Sequence, residues 1–435
     1  MLLYTDNITP RLRYISEFIG RELMGEPFEL TVDKIAFSNT STPGINYSTE
    51  TISDNEFRIE PHPLLFENKI RSHPLHCFFI DRLKVFFGTG GDLIFDIFSA
   101  SFYLLSRYEE YLPHTKDIYE RYAHTNALAY REGFLQIPLV NYWIRFFREQ
   151  IEQKFPRYSF PKPASRNPFL ATYDIDQAYS FRNKTSLKNA FGFSRSVVSG
   201  KIKDVYSRWQ VLKGNQKDPF DSFHWMYELN TRYKLQPIYF FLVAQKPGPL
   251  DKNISPDSED MKAIIRNHAE IYDIGIHPSW QSGDDYSLLY SECHKLEQTG
   301  GKKISRSRQH YIRFTLPQTF RRLLGAGIRH DFSMGYGSIN GFRASVTVPY
   351  YWFDLEKNES TELLLHPFCY MDANSFYEQQ YSSLQAFEEM REFYAAAKAV
   401  NGTMVSIWHN NFLGTDPGFA GWKEVYEKFL DEITY

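Results

Sequence analysis

The chain has 435 residues, too many for one ordinary core and enough for two domains, or for one barrel with an appended module. Its 49 Lys and Arg against 52 Asp and Glu give a formal charge of −3, which indicates neither a nucleic-acid partner nor an anionic lipid surface. Aromatic residues make up 17% of the chain, and most of them belong in hydrophobic cores.

Cysteine usage and hydropathy bear on the location of the protein. Cys77, Cys293 and Cys369 are widely spaced and odd in number, which argues against a disulfide framework and against a Cys-ligated zinc site. The first residues lack a basic segment followed by an apolar one, and no uncharged apolar stretch approaches about 18 residues. We therefore expect a soluble protein without a membrane span, located in the cytoplasm; a chain trimmed of its signal peptide would look the same.

The first 162 residues predict a smaller α+β domain. Thr9 and Pro10 are typical of a helix start, and the apolar spacing that follows runs to Gly25. FELTVDKIAF and INYS favour short strands, Asp92 is the expected cap of the apolar helix that follows it, and another helix is expected near 138–155. The proline-rich stretch PRYSFPKPASRNP indicates a linker, which places the domain boundary near residue 163.

Residues 163–435 alternate strand-like and helix-like stretches. The strand-like runs lie at 168–173, 237–244, 273–277, 303–308, 328–332, 362–370 and 403–409. Seven strands with helical crossovers imply a parallel sheet, either closed as a barrel or open and doubly wound. The stretch 178–218 is long for a crossover and is expected to hold a loop or insertion.

Chemically active side chains follow these strands. They are Asp174 and Asp176 after the first, His277 after the third, Arg308 and His310 after the fourth, His330 and Asp331 after the fifth, and His409 at the last. Because loops at the carboxyl ends of parallel strands share one rim, we expect a common site there. A carboxylate and two imidazoles form a usual catalytic zinc shell, a second carboxylate can take a proton from water, and another imidazole can protonate the leaving group.

The stretch TYDID resembles the opening motif of the polysaccharide deacetylases, also called NodB-like proteins or carbohydrate esterase family 4. By this resemblance Asp174 is the catalytic base, and Asp176 replaces the metal-binding acid whose usual position holds Ile175. DIGIH resembles a second family motif, which makes His277 a metal ligand. The resemblance covers about residues 168–415 and implies a distorted seven-stranded (β/α) barrel.

The sequence departs from the family pattern after His277. Gln281 stands where a second histidine ligand is expected, and His310, in an Arg-x-His-Tyr stretch similar to that of divergent members, is the nearest replacement. The resemblance further assigns Arg308 as the residue that orients the base, Asp331 as a supporting acid, and His409 as the general acid.

Several of these residues have a structural alternative. The two acids can be turn formers, His277 a loop residue bonded to a backbone carbonyl, and His310 a strand cap. Arg343, Trp280, Tyr336 and Trp408 are the candidates for substrate binding, although an arginine can pair structurally and aromatic rings can pack in the core.

The sequence thus predicts a metal-dependent hydrolase that deacetylates an N- or O-acetylated envelope polysaccharide or its sugar precursor. We expect one divalent ion as its cofactor, with zinc favoured, and a carbohydrate substrate as its binding partner. Two alternatives stay open: a non-catalytic carbohydrate-binding or scaffold protein on the same barrel, and a metal-dependent amidase acting on small cyclic amides. The sequence leaves the oligomeric state open.

Overall fold

The computed structural model describes residues 1–183 and 202–434. The strands are β1 Leu2–Thr5, β2 Glu29–Thr31, β3 Gly44–Tyr47, β4 Glu56–Arg58, β5 Phe78–Ile80, β6 Leu83–Val85, β7 Phe169–Ile175, β8 Ile238–Phe241, β9 Asp273–Ile276, β10 Arg306–Ser307, β11 His330–Asp331, β12 Tyr350–Asp354, β13 Glu359–Leu365, β14 Tyr370–Met371 and β15 Met404–His409.

The α-helices are α1 Pro10–Glu17, α2 Lys34–Ser38, α3 Ile97–Leu105, α4 Leu128–Arg131, α5 Leu139–Lys154, α6 Ile202–Leu212, α7 Phe223–Arg232, α8 Glu259–Ile271, α9 Tyr286–Gly300, α10 Gln318–Gly325, α11 Ser383–Ala399 and α12 Trp422–Thr434. Shorter 3₁₀ or π turns lie at Phe18–Met24, Pro63–Phe66, Tyr108–Tyr111, His124–Asn126, His310–Ile312, Asn374–Glu378 and Pro417–Phe419. None of the helices in the described ranges is both long and apolar enough to cross a bilayer.

The N-terminal part contains a four-stranded sheet in the order β2-β1-β3-β4. All three strand pairs are parallel, so the description α/β fits this part better than the expected α+β. The predicted helix start is confirmed, since the Thr9 side chain accepts a hydrogen bond from the Leu12 amide and Pro10 is the first helical residue. Gly25 adopts a φ of 74° that ends the following π turn.

Two local predictions in this part were wrong. The stretch FELTVDKIAF contains β2 and then α2, because Asp33 caps the backbone amides of Ile35 and Ala36 and starts a helix there. The apolar helix α3 is capped by Asp96, whose carboxylate accepts from the Ser99 amide, and not by Asp92. In both places the helix begins after an acid that accepts hydrogen bonds from the backbone amides ahead of it.

The second sheet has nine strands in the order β12-β13-β11-β10-β9-β8-β7-β15-β14, with β12 antiparallel and the others parallel. The sequence analysis predicted seven strands because it took β13 and β14 as one strand and did not recognise β12.

The sheet cannot be flat. If it were, β13 and β14 would lie about 34 Å apart, at about 4.8 Å for each strand spacing. The chain joins them through residues 366–369, which span at most about 18 Å. The sheet therefore curls towards a barrel, although no strand pairing closes it within the described ranges.

The two halves of the chain share one hydrophobic core. The strand absent from the prediction, β12, provides much of the contact, since Phe353 packs against Tyr14 and Phe102 at centroid distances of 5.1 Å each. Tyr14 also donates to the backbone oxygen of Tyr351 at 2.7 Å. The predicted boundary near residue 163 therefore falls between two parts that pack closely against each other. Residues 184–201 of the predicted loop at 178–218 lie outside the described residues, and 202–212 form α6.

Candidate metal centre

The candidate site lies at the carboxyl ends of the central strands of the large sheet. The parallel pairing of β7 with β15 sets Asp174 opposite His409, and the pairing of β10 with β9 sets Ser307 opposite Ile276, one residue before His277. Asp174 and Asp176 are two residues apart, so an extended chain directs both side chains to the same face. The register of the sheet therefore brings the predicted strand-end residues to one rim.

Three of these residues form a cluster of possible metal ligands. One donor atom from each of Asp176, His277 and His310 lies within 4.8 Å of the other two. The Nε2 atom of His277 is 3.1 Å from Asp176 Oδ1, and that of His310 is 3.4 Å from Asp176 Oδ2. A carboxylate with two imidazoles is a common donor set for catalytic zinc.

The second ring nitrogen of each imidazole is held by the protein. Nδ1 of His277 donates to the backbone oxygen of Arg308 at 2.5 Å, and Nδ1 of His310 donates to the buried carboxylate of Asp251 at 2.8 Å. Because an oxygen acceptor requires a protonated Nδ1, Nε2 is the nitrogen that each ring offers to the cluster. The ring orientation and tautomer therefore suit coordination.

The acid and the imidazoles of the cluster shift each other's pKa values in opposite directions. Burial by itself would raise the pKa of Asp176, but His310 and His277 outweigh it and hold that pKa well below its usual range. Burial lowers the pKa of His310, yet Asp176 and Asp251 overcome this and raise it to about 9. Asp176 and His310 thus favour each other's charged form.

The residues present fit a divalent ion. Asp176 Oδ1 is buried and accepts no well-aligned hydrogen bond from the described residues, although a buried carboxylate oxygen ordinarily has a partner. This oxygen lies 3.1 Å from Nε2 of His277, the ring nitrogen that faces the cluster. A cation between them would give that oxygen its missing partner.

Asp174 lies beside the cluster and is oriented by Arg308. The guanidinium is fully buried, donates to Asp174 Oδ1 at 2.7 Å and to the Thr172 hydroxyl at 2.8 Å, and lies over the Phe240 ring. Asp174 Oδ2 is 3.9 Å from Nε2 of His277. The ion pair with Arg308 therefore holds Oδ1 of Asp174, and Oδ2 is the oxygen that lies near the cluster.

His409 also lies beside the cluster, on the strand next to that of Asp174, and has a carboxylate partner that the sequence did not indicate. Asp372 is fully buried, accepts from His409 Nδ1 at 2.6 Å, and accepts from the His409 amide at 2.7 Å. Nε2 of His409 lies 3.6 Å from Asp176 Oδ2. Burial lowers the pKa of His409, but Asp372 first, then Asp176 and Asp174, raise it to about 10, so the ring is protonated at neutral pH.

A cavity of about 490 Å³ opens above these groups. Besides Asp174, Asp176, His277, His310 and His409, its walls include the aromatic residues Tyr119, Phe220, Tyr311, Tyr377, Phe412 and Phe419. Arg121 and Lys252 add cationic groups, and Glu378 adds an acid. Tyr119 and Arg121 belong to the N-terminal part of the chain, so both parts line the cavity.

Three predicted residues lie elsewhere. Arg343 is buried and forms two hydrogen bonds with Glu110, at 2.9 and 2.6 Å, instead of lining the cavity. The Tyr336 hydroxyl accepts from buried Arg107 at 3.2 Å. Trp408 is fully buried against Tyr426, because it precedes His409 by one residue and so faces the other side of β15. As substrate-binding candidates, these three are corrected to core and interface residues.

Two further predicted residues lie next to the site without lining the cavity. Asp331 is buried, accepts from the hydroxyls of Ser307 and Ser333 at 2.7 and 3.0 Å, and has a pKa raised to about 6 mainly by burial. Its hydrogen bonds therefore hold the ends of β10 and β11 together next to Arg308. Trp280 is half-buried, and its ring packs against Tyr311 at 5.8 Å.

The position that departs from the family pattern is not part of the cluster. Gln281 is exposed at the start of the turn after Trp280, and its amide lies near Gly248. The second imidazole of the cluster comes from His310, as the sequence predicts. Asp251, which positions His310, was missed because it lies in a loop after β8 that resembles no motif; only its position ten residues after the end of that strand connects it to the rim.

Comparisons with known proteins give limited information. A model of a family of unknown function, DUF7033, matches residues 1–156. No curated protein matches the chain. Among solved structures, one described as a polysaccharide deacetylase from Mycobacterium smegmatis is 13% identical, with a TM-score of 0.38, over 63% of this chain and 88% of its own.

Two other solved structures have comparable similarity. A Puue allantoinase is 12% identical, with a TM-score of 0.39, over 62% of this chain and 88% of its own. A protein described as a polysaccharide deacetylase from Pseudomonas aeruginosa PAO1 is 14% identical, with a TM-score of 0.34, over 48% of this chain and 64% of its own. At these scores the likeness carries no conclusion about activity, and the functional argument depends on the geometry of the site.

Proposed function

We propose that the protein is a metal-dependent hydrolase that removes acetyl groups from an N- or O-acetylated sugar unit of an envelope polysaccharide or its precursor. The observation that carries the proposal is the Asp176, His277 and His310 cluster at the floor of a cavity. Asp174, which is bonded to Arg308, and His409, which is bonded to Asp372, both lie beside this cluster. The arrangement supplies a cation site, a base and an acid within one cavity.

Asp176, His277 and His310 would hold the ion, zinc being the best match for this donor set. When bound, such an ion polarises the acyl carbonyl and lowers the pKa of water at the site. Asp251 and the Arg308 carbonyl hold the two imidazoles in the orientation that presents Nε2.

Asp174 and His409 carry the proton transfers in this proposal. Asp174 Oδ2 accepts a proton from the attacking water, while Arg308 holds the other oxygen and keeps the carboxylate in place. The water oxygen forms a bond to the acyl carbon, and the bond from that carbon to the leaving nitrogen or oxygen breaks. His409 donates its Nε2 proton to the leaving group, and Asp372 stabilises the imidazolium before the transfer. The products are acetate and a free amine or hydroxyl.

The walls of the cavity favour a carbohydrate. Aromatic rings such as Tyr377 and Tyr311 offer flat apolar faces, against which the C–H faces of a sugar ring pack. The charged side chains of Lys252 and Glu378 can bond to sugar hydroxyls or an acetamido group. A volume of about 490 Å³ lies within the usual range for a small-molecule site.

Acetate release tests the proposal. The zinc-loaded protein should release acetate from acetylated amino-sugar oligomers or acetylated xylan-type polymers, and Asp174→Asn should lose about 10² to 10⁴ in kcat while keeping its zinc. Small cyclic amides in the same panel would reveal the amidase alternative. Full activity of Asp174→Asn would refute the assigned roles, and turnover of cyclic amides alone would refute the substrate class.

A further inference from the structure

We propose that the N-terminal part of the chain completes the active site. A hairpin at residues 115–123 forms one wall of the cavity, and Arg121 on it is a positioning residue for the turn that carries His310. This inference rests on the proposed function, since it takes His310 as a metal ligand. It gives the first part of the chain, which matches a family of unknown function, a role in metal and substrate binding.

The 115–123 hairpin is rigidly built. The Ala123 amide donates to the Thr115 oxygen and the Asp117 amide to the Arg121 oxygen, at 3.2 and 2.9 Å. The Asp117 carboxylate accepts from the amides of Tyr119 and Arg121, and from Nε of Arg121 at 2.6 Å. These bonds fix both the backbone and the direction of the Arg121 side chain before any ligand binds.

Arg121 reaches from this hairpin into the second part of the molecule. Its Nη1 donates to the backbone oxygens of Tyr311 and Gly337, at 3.1 and 2.8 Å, and its side chain is only 6% exposed. Tyr311 directly follows His310. A buried cation of the first part is therefore bonded to the residue next to a proposed ligand.

The turn that Arg121 holds has an unfavourable backbone conformation. Tyr311 and Ile312 both have positive φ values, 58° and 55°. Residues other than glycine rarely adopt this region, and a β-branched residue such as Ile312 is disfavoured there most strongly. Such a conformation persists only when its surroundings impose it, and the bond from Arg121 to the Tyr311 oxygen is part of those surroundings.

Arg121 packs directly against the backbone of Gly337. A Cβ atom at this position would overlap the Arg121 guanidinium and lie 2.7 Å from the Tyr311 oxygen. A side chain at 337 would therefore push the guanidinium away from the turn without removing it.

Tyr119 is the residue of the hairpin whose ring forms part of the cavity wall. Its ring lies 5.0 Å from the Tyr311 ring, with the Arg121 guanidinium 4.8 Å from its centroid. Tyr119 and Tyr311 both line the cavity and both are partly exposed. They form a continuous aromatic surface across the two parts of the chain, which suits the apolar face of a sugar ring.

Four variants of the full-length protein test the inference: Arg121→Ala, Arg121→Lys, Gly337→Ala and the control Arg11→Ala. Arg11 is also fully buried and also bonds across the two parts, to Asn358 at 3.0 Å, but it does not line the cavity. Amide hydrogen exchange of residues 309–313 in the metal-free proteins is the first readout, and zinc affinity measured against a chromophoric chelator is the second.

Arg121→Ala and Gly337→Ala should speed exchange of residues 309–313 at least tenfold and weaken zinc binding about ten- to hundredfold. Arg121→Lys should change both the exchange rate and the zinc affinity less than Arg121→Ala does. Arg11→Ala should stay within about twofold of the wild type in both readouts. Unchanged exchange in Arg121→Ala and Gly337→Ala would overturn the inference, whether or not the wild type binds zinc. Failure of the wild type to bind zinc would instead overturn the proposed function, and exchange would still decide the role of Arg121. If Arg121→Ala does not fold, Arg121→Lys decides the outcome, because Gly337→Ala also presses directly on the Tyr311 oxygen; exchange as slow as in the wild type would then overturn the inference.

Discussion

Replacing Asp251 by Asn should weaken zinc binding about ten- to hundredfold, which corresponds to about 1.4 to 2.7 kcal/mol. Asp251 is buried, and its Oδ1 accepts from His310 Nδ1 at 2.8 Å and from the Trp280 amide at 3.0 Å. Asn preserves the shape and one oxygen acceptor. It removes the charge that makes His310 a stronger ligand, so the loss should appear in metal affinity much more than in folding.

The effect of Asp251→Asn on zinc affinity should depend on pH. The pKa of His310 is about 9 in the metal-free protein, so zinc must displace a proton at pH 7.5. Loss of Asp251 lowers that pKa and reduces the competition from protons, which partly offsets the weaker ligand. At pH 9 the wild type also has little proton competition. The difference in affinity between wild type and variant should therefore be larger at pH 9 than at pH 7.5.

The assay is a chelator competition with zinc at both pH values, together with a thermal melt. Glu292→Gln is a matched control, because Glu292 is also a buried acid bonded to the neighbouring loop, through the Ser279 amide at 3.0 Å, but not to His310. Equal zinc affinity of Asp251→Asn and wild type at both pH values would refute the view that Asp251 positions a metal ligand.

Three further predictions follow from buried contacts. Glu110→Gln should lower the free energy of unfolding by about 3 to 5 kcal/mol in denaturant titrations, because Arg343 keeps its charge and loses its carboxylate; a change below about 1 kcal/mol would contradict this. Asp372→Asn should move the alkaline limb of the pH–rate profile to lower pH, since the pKa of His409 is raised to about 10 mainly by Asp372; an unshifted limb would argue against His409 as the acid. Tyr119→Ala should raise KM for an acetylated oligosaccharide about tenfold with kcat nearly unchanged, and a fall in kcat alone would contradict its role as a wall.

The floor of the site could be predicted because it depends on strand order alone. Asp174, Asp176, His277, His310 and His409 each lie at or shortly after the carboxyl end of a strand, and parallel strands deliver these ends to one rim. The sequence also indicated that His310 takes the place of the missing second histidine. The grouping of these residues needed only the positions of apolar runs and the residues near their ends, whereas the choice of His310 came from the resemblance to the deacetylase family.

The surroundings of the site could not be predicted in this way. Asp251 lies in a loop, and Arg121 comes from the other part of the chain; nothing local in the sequence connects these two residues to their partners. Asp372 directly follows β14, so the rule about strand ends could have found it. The errors have the same physical origin. Arg343 looked like a ligand clamp because its partner, Glu110, lies 233 residues away. Trp408 could have been placed correctly from strand alternation alone.

Zinc content of the purified protein, measured by elemental analysis for the wild type and for His310→Ala, tests the central claim most directly. The account predicts about one zinc ion per chain after reconstitution and dialysis, and its loss from His310→Ala with the fold preserved by circular dichroism. A wild type that retains no divalent ion after reconstitution would contradict the account, and so would a His310→Ala variant that binds zinc as tightly as the wild type.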